Sequence, residues 1–336
     1  MTHRPGLDPA VAEVRRAVRA ALSGLPADAP VVVALSGGAD SLAVAAATAF
    51  EAPKLGLRPV AVTIDHGLQE SSREIAEGAA RTATALGLEA RVVRVEVGAI
   101  GGPEAAARDA RYRALRDAAA EVGAAVVLTG HTLDDQAETV LLGLARGAGA
   151  ASLQGMAEAS DLDGVALLRP LLGVRRATTR AACAAEGLEP WDDPHNLDPR
   201  FARVRVRQTV LPVLEAELGP GIAEALARTA AQLREDAEAF DDMIDETIED
   251  IVEHVEAGIS VSAAALAANP AALRNRIIRH VVAAEFGESL TRVQTLEVAR
   301  LATDWSGQGP IDLPGCAARR NAGRIEFTAK GAVRDR

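Results

Sequence analysis

The sequence predicts an α/β protein: a doubly wound parallel sheet, followed by a second, smaller and mostly helical domain. Three observations carry this. β-branched runs alternate with alanine-rich helical segments over the first 146 residues; several of those segments stop at a glycine; and after Gly219-Pro220-Gly221 the pattern changes to one long apolar stripe at helical spacing.

The elements follow in order. Residues 8–23 place Val and Leu among Arg and Glu at helical spacing, an amphipathic lead-in helix. Strands are expected at 31–35, 60–64, 91–95 and 125–129, with helices at 42–50, 73–86, 104–122 and 134–146. Gly87, Gly123 and Gly147 end the last three helices. In such a sheet a ligand lies beyond the carboxyl ends of the strands, and Ser36, Asp65 and His131 each stand just after one. The 147–155 stretch is Gly/Ala/Ser-rich and reads as a mobile linker. A strand at 165–168, a helix at 178–186, an irregular polar stretch at 192–200 and a helix at 203–218 complete a first domain, 1–218.

In the second domain, 219–336, Ile222, Leu226, Ala230, Leu233, Ala237, Phe240, Ile244, Ile248, Ile251 and Val255 recur at steps of three or four, one face of a long helix. Its other face carries Glu235, Asp236, Asp241, Asp242, Asp245, Glu246, Glu249 and Asp250, a solvated acidic surface. Helices at 263–268, 271–286 and 290–303 and a small β-element at 315–328 follow.

Composition narrows the class. Hydrophobic residues make up 49% of 336 and aromatics only 2%, so the core is built from Ala, Val, Leu and Ile. A formal net charge of -11 argues against nonspecific nucleic-acid binding but permits a local basic face. Cys183 and Cys316 are far apart, which offers no disulfide framework and no CxxC site; both are expected as small core hydrophobes. No signal peptide precedes Val11, and no apolar run approaches the ~20 residues that span a bilayer. The expectation is a soluble, cytoplasmic protein with no membrane partner.

The stretch Ser36-Gly37-Gly38-Ala39-Asp40-Ser41 joins the first strand to its helix. Glycines let phosphate oxygens approach the backbone, and the helix N-terminus favours an anion. The serines add donors, and Asp40 suits Mg²⁺, a hard cation. No Gly-Lys-Ser/Thr follows, so this is not a Walker A loop. A bare Ser-Gly-Gly is equally served by a tight strand-to-helix turn.

The motif resembles the PP-loop of the N-type ATP pyrophosphatases, which cleave ATP between the α and β phosphates and adenylate a substrate oxygen. That likeness implies an adenine nucleotide alpha hydrolase-like fold, and residues 36–41 as a pyrophosphate cradle. Three further stretches narrow it: Ile64-Asp65-His66-Gly67-Leu68, Glu104 to Tyr112 (EAAARDARY), and Gly130 to Thr139 (GHTLDDQAET). With the loop, they resemble the tRNA(Ile)-lysidine synthetases over about residues 28–215. The likeness implies an ATP- and Mg²⁺-dependent ligase that adenylates the C2 oxygen of the wobble cytidine of a tRNA(Ile) with a CAU anticodon. Attack by the side-chain amine of free L-lysine then forms a carbon–nitrogen bond and releases AMP. It leaves the oligomeric state open, a homodimer included. At 336 residues the chain leaves little room for the extra C-terminal tRNA-reading domain of some members.

Such chemistry needs a cationic group for developing negative charge and carboxylates to bind and deprotonate an ammonium. Asp134 and Glu138, four apart on one helix, share a face and can grip Mg²⁺ or the ammonium; Asp40 and Asp134 are the metal candidates. His131 lies beside them, and Arg108 and Arg111 can face the phosphates. Asp65 and His66 join the nucleotide site, and Asp135 the substrate site. Plainer readings stand beside these. Thr132 and Asp135 have capping-box spacing, Glu104–Arg108 is a surface i,i+4 pair, Arg111 is solvated, Tyr112 is core and His66 satisfies a turn.

Asp192 to Phe201 (DDPHNLDPRF), followed by Arg203, Arg205 and Arg207, looks like the family's motif before an Arg-rich helix start, with Asn196 and these arginines on the tRNA. His195 stands where Ser is usual, Val204 where Asn is, and Gln69 where an Arg is usual. Arginine clusters at 175, 176 and 180, at 274, 276 and 279, and at 319, 320 and 324 suggest a basic track, though each alone suits a solvated face. The rival PP-loop readings are a tRNA thiolase, which would use paired cysteines, and an amidating synthetase, which would want a glutaminase. A non-catalytic nucleotide-binding module would not need Asp40, Asp134 and Glu138 together.

Overall fold

The computed structural model describes residues 6–67, 71–95, 103–147, 149–255 and 258–330, with side chains omitted at 103–105. Leu68, Gln69 and the side chain of Glu104 therefore lie outside the described residues. The chain divides into two compact units, Met1–Leu233 and Arg234–Arg336.

In the first unit, helix α1 (Pro9–Leu22) is capped by the Asp8 carboxylate, with Pro9 at its first turn, where a missing N–H costs nothing. Then come β1 (Pro30–Ala34), α2 (Ala39–Glu51), a 3₁₀ turn (Ala52–Leu55), β2 (Arg58–Asp65), α3 (Ser72–Ala85), β3 (Glu89–Arg94), α4 (Pro103–Val122), β4 (Val126–Leu128) and α5 (Leu133–Ala145). A four-residue helix α6 (Ala150–Leu153), β5 (Ala159–Leu162), β6 (Val165–Leu168) and α7 (Arg176–Ala185) follow. The six strands order as β3-β2-β1-β4-β6-β5, all parallel except the β5–β6 hairpin. β1, with β2 on one side and β4 on the other, marks the switch point where such sheets open a crevice.

Alternation along the strands sorts the core into two layers. Val31 and Val33 pack with Val14, Val18, Leu42 and Ala83 on one face. Val32, Val60 and Val62 pack with Leu115 and Ala119 of α4 on the other. The expected linker, 147–155, contains the short helix α6 and leads into a pair of bonds from α5. The Gln136 side chain accepts the Met156 N–H at 2.6 Å and donates to the Met156 carbonyl at 2.8 Å. The expected 203–218 helix is α8 (Ala202–Arg205), a π-helical segment (Val206–Val210) and α9 (Leu211–Leu218). The widened turn precedes Pro212, whose missing N–H interrupts the regular ladder.

Helix α10 (Ile222–Ile251) starts in the first unit and ends in the second. It stops four residues short of the expected stripe. Val252–Val255 is strand β7, paired antiparallel with β8 (Gly258–Ser262): β-branched Val252 and Val255 pair with Val261 and Gly258. Helices α11 (Ala263–Ala268), α12 (Ala271–Phe286) and α13 (Arg292–Thr303) precede β9 (Ile311–Asp312), β10 (Cys316–Asn321) and β11 (Arg324–Ala329). The sheet order is β7-β8-β11-β10-β9, so this unit carries more β-structure than its sequence suggested. Ile277, Ile278, Leu301, Leu313 and Phe327 form its core, while the eight acidic residues of α10 face water. Both cysteines are free and buried.

Candidate active site

A cavity of about 870 Å³ opens at the carboxyl ends of β1, β2 and β4. Its floor is the loop after β1. Gly37 has φ +85°, a left-handed backbone that side chains rarely adopt, and its carbonyl accepts the Trp191 N–H at 3.0 Å. Ser41 Oγ donates to the Gly38 carbonyl at 2.9 Å and lies 3.0 Å from Ser36 Oγ, so the two serines fix the turn from within. Gly38 is the N-cap of α2 without a side-chain cap, which leaves first-turn N–H groups open to an anion. Behind the loop, a Cβ on Gly130 would sit 2.8 Å from the backbone carbonyl of Asp40, so only glycine allows β4 to approach this closely.

The carboxylates converge on one arginine. Arg176, at the start of α7, lies 3.5 Å from Asp40, 2.8 Å from Asp135 and 3.1 Å from Glu138. Its backbone N–H donates to Asp134 at 2.8 Å. Burial alone would lower Arg176; Asp135, Glu138, Asp40 and Asp134 together hold it above the ordinary range. Arg207 donates to Glu138 at 2.7 Å, and Arg203 approaches the same carboxylate at 3.8 Å and bonds Thr139 Oγ1 at 3.2 Å. Arg175 pairs with Asp134 at 3.4 Å. Asp40 also accepts the Thr179 hydroxyl; burial raises its carboxyl despite that bond and Arg176.

Asp135 is a cap and also faces the cavity side. One oxygen completes a capping box with Thr132, and the other faces Arg176. Burial opposes its ionisation, but Arg176 and the Thr132 bonds hold its carboxyl below the usual range. His131 is pushed down to about 4 by burial, with Arg169, Arg111 and Arg108 adding to the effect, and its Nδ1 pairs with Thr129 Oγ1 at 3.0 Å. It is a neutral imidazole near pH 7. Asp65 accepts the Gly67 N–H at 2.9 Å; the Ser72 hydroxyl and that bond hold it low. His66 is lowered by burial and by Arg111, and its buried Nδ1 has no partner.

The cavity thus gathers Ser36, Gly38, Ala39, Asp40, Ser41, Asp65, His66, Arg111, His131, Asp135, Asn196 and Arg207. Asp134 and Glu138 line a separate 140 Å³ recess behind Arg176 and Arg207. Arg111 makes no ion pair among the described residues and lies, like Arg108, over the Tyr112 ring, at 5.5 and 4.9 Å respectively. Tyr112 Oη is buried without a partner. Arg205 points away and holds the carbonyls of Pro199 and Arg200. Sequence reasoning grouped Arg176 with Arg175 and Arg180 as a surface cluster, but Arg180 pairs with Asp192 and Arg176 is central. The usable signal was position: Arg176 opens the helix after β6, as Ser36, Asp65 and His131 follow earlier strands.

Sheet order, loop and carboxylates define a PP-loop nucleotide-binding protein, and the PP-loop domain family matches residues 12–214. The TilS substrate binding domain matches residues 262–326. A tRNA(Ile)-lysidine synthase of Leifsonia xyli is 60% identical over 299 residues, covering 88% of this chain and 89% of its own. That of Salinispora tropica is 52% identical over 332 residues, covering 97% and 98%. The chain belongs to the tRNA(Ile)-lysidine synthase family, ATP-dependent ligases that form a carbon–nitrogen bond. Among solved structures, the U34-tRNA thiolase NcsA of Methanococcus maripaludis matches with a TM-score of 0.58 at 20% identity, covering 67% of this chain and 80% of that one, a likeness of fold. No helix among the described residues is long and apolar enough to cross a membrane.

Proposed function

We infer that the chain is a tRNA(Ile)-lysidine synthase acting in the cytoplasm on a tRNA(Ile) with a CAU anticodon, with ATP and free L-lysine as the other substrates. The observation that carries this is the meeting of the PP-loop Asp40 with Asp134, Asp135 and Glu138 on a single guanidinium, Arg176. It joins a phosphate cradle to a set of ammonium-binding carboxylates.

In this reading residues 1–218 form the catalytic domain and residues from 219 on bind tRNA. Ser36 to Ser41 hold the pyrophosphate end of ATP with backbone N–H groups and hydroxyls. The C2 oxygen of cytidine attacks the α-phosphorus and expels pyrophosphate. Arg111, without a carboxylate partner, faces charge that develops there. The lysine amine then attacks C2 and expels AMP, and a carboxylate of the Asp134, Asp135 and Glu138 group takes its proton. Neutral His131 orients rather than carries charge. Asn196, Arg203, Arg205 and Arg207 flank the entry and meet tRNA directly or by shaping the 193–207 segment.

Mg²⁺ fits as a partner of ATP. Among the described residues no three His, Cys, Asp or Glu side chains are placed to hold a metal ion by themselves, so the ion would be held mainly by phosphates, water and one or two carboxylates. Asp40 lines the cavity and would hold it; Asp134 would join only by leaving Arg175 and the Arg176 N–H. When bound, the ion neutralises phosphate charge.

Purified protein with ATP, labelled lysine and unmodified transcript is expected to give label in the tRNA with stoichiometric pyrophosphate. Pyrophosphate release that ignores tRNA, or no incorporation, would overturn the reading.

A further inference from the structure

Helix α7 and the turn beyond it touch the loop after β1 at four points. Arg176, Thr179 and Cys183 stand at steps of three and four, on one face of the helix. The Cys183 thiol donates to the Ala39 carbonyl at 3.3 Å, and the Trp191 N–H donates to the Gly37 carbonyl at 3.0 Å. These two hold backbone. Arg176 and Thr179 reach the one loop side chain that carries charge, Asp40.

The two contacts to Asp40 are unequal, and each takes a different oxygen. Arg176 Nε lies 3.5 Å from Asp40 Oδ2, at the outer limit of a hydrogen bond, and the same guanidinium is nearer to Asp135 and Glu138, at 2.8 and 3.1 Å. It supplies charge without fixing the angle of the carboxylate. The Thr179 hydroxyl donates to Asp40 Oδ1. Thr179 is 0% exposed, so its bond is shielded from competing water. Its Oγ1 is held in turn. A β-branched side chain in a helix has few χ1 choices, and this one sets Oγ1 2.8 Å from the Arg176 carbonyl one turn back. The hydroxyl has one proton and two acceptors in reach, and the charged acceptor makes the stronger bond.

We propose that Thr179 is a positioning residue for the phosphate loop: it pins Oδ1 of Asp40 and thereby leaves Oδ2 to the cation that accompanies ATP. A buried threonine bonded to its own helix backbone is common, and that plainer role explains the contact with the Arg176 carbonyl. It does not explain a bond to a carboxylate 139 positions away, on the loop that lines the cavity. Carboxylates that hold a metal ion are themselves oriented by an outer hydrogen bond of this kind. The proposal rests on Asp40 facing the cation, as in the function proposed above, and adds the group that aims it.

The test uses the full chain and isothermal titration calorimetry with ATP, without tRNA or lysine. Thr179→Val keeps the shape of the side chain and removes the hydroxyl; Thr179→Ser keeps the hydroxyl. In excess Mg²⁺, Thr179→Val is expected to weaken ATP binding roughly ten-fold, with Thr179→Ser recovering most of the loss. In EDTA, where no cation reaches Asp40, Thr179→Val should bind ATP like the parent. In an Asp40→Ala background it should bind Mg²⁺ and ATP like Asp40→Ala alone. A merely structural role would weaken binding in EDTA and in the Asp40→Ala background as well. Parental affinity in Thr179→Val with Mg²⁺, or an equal loss in EDTA, would refute the positioning role. Where binding in EDTA is too weak to measure, the Asp40→Ala comparison decides, and a loss that persists there refutes it. If Thr179→Val does not fold, Thr179→Ala against Thr179→Ser, which differ only in the hydroxyl, gives the same comparison. Lysine incorporation by the parent is scored separately. Incorporation with no effect at Thr179 sinks the positioning role alone; a Thr179 effect without incorporation keeps that role and sinks the proposed function.

Discussion

Replacing Arg176 by methionine keeps the stem of the side chain and removes its charge. The guanidinium is 17% exposed, Asp135 12% and Glu138 0%, so the network is screened little by water. Removing one partner of a buried ion-pair cluster costs about 3–5 kcal/mol. Arg207 remains 2.7 Å from Glu138 and 3.4 Å from Asp135, which places the cost near the lower end, ~3 kcal/mol. At roughly 2–4 °C per kcal/mol for a unit of this size, the first unit's melting transition should fall by about 6–12 °C at pH 7. The pH dependence has a definite sign. Asp40 is already raised by burial and rises further without Arg176, while Asp135, held low by Arg176 and the Thr132 bonds, rises from that depressed value. Groups raised in this way are destabilising while ionised, so the penalty is full at neutral pH and shrinks as pH falls through the folded-state values. Differential scanning calorimetry of parent and variant at pH 7 and 5.5 measures both. A shift below 2 °C, or one that grows on acidification, would refute the view that these carboxylates depend on Arg176.

Other outcomes follow from the same geometry. Gly130→Ala forces a methyl group against the Asp40 backbone and should cost about 1–3 kcal/mol while raising KM for ATP at least several-fold; a parental KM would show that the loop tolerates displacement. Histidine NMR should find His131 titrating near pH 4 and not near 6.5. As its folded value is depressed, it contributes to a loss of stability as pH falls from about 6.5 to about 4. Asp40→Asn removes a charge whose ionisation burial opposes, so melting should change by no more than about 1 kcal/mol, while tRNA-dependent pyrophosphate release falls at least ~100-fold. Retained release would remove Asp40 from the chemistry.

The parallel sheet was legible because strand and helix periods alternate cleanly and glycines mark the helix ends; every strand of the first unit except β5 has a counterpart in the pattern. β5 is a short four-residue edge strand with a polar middle, below the length at which alternation speaks. The β7–β8 hairpin was hidden because Ile248, Ile251 and Val255 continue a helical stripe while Val252 and Val255 also fit a strand, and pairing with β11 decides between the two. The loop and the carboxylates on α5 were legible as local motifs. Arg176 was not, because its partners lie 38 to 136 positions away in sequence, and an arginine beside two others looks like surface until the sheet folds it inward.

The distribution of charge says more than its total. The excess acid is segregated: eight carboxylates lie on the exposed face of α10. In the carboxylate cluster, Asp40, Asp134, Asp135 and Glu138 are matched by Arg175, Arg176, Arg203 and Arg207. Such a balanced cluster cannot accept ATP or an ammonium simply by adding charge. A phosphate that draws a guanidinium toward itself leaves a carboxylate uncompensated, and an ammonium is the group that compensates it. On the proposed function, ATP and lysine would therefore favour each other's binding, and by linkage the effect is reciprocal.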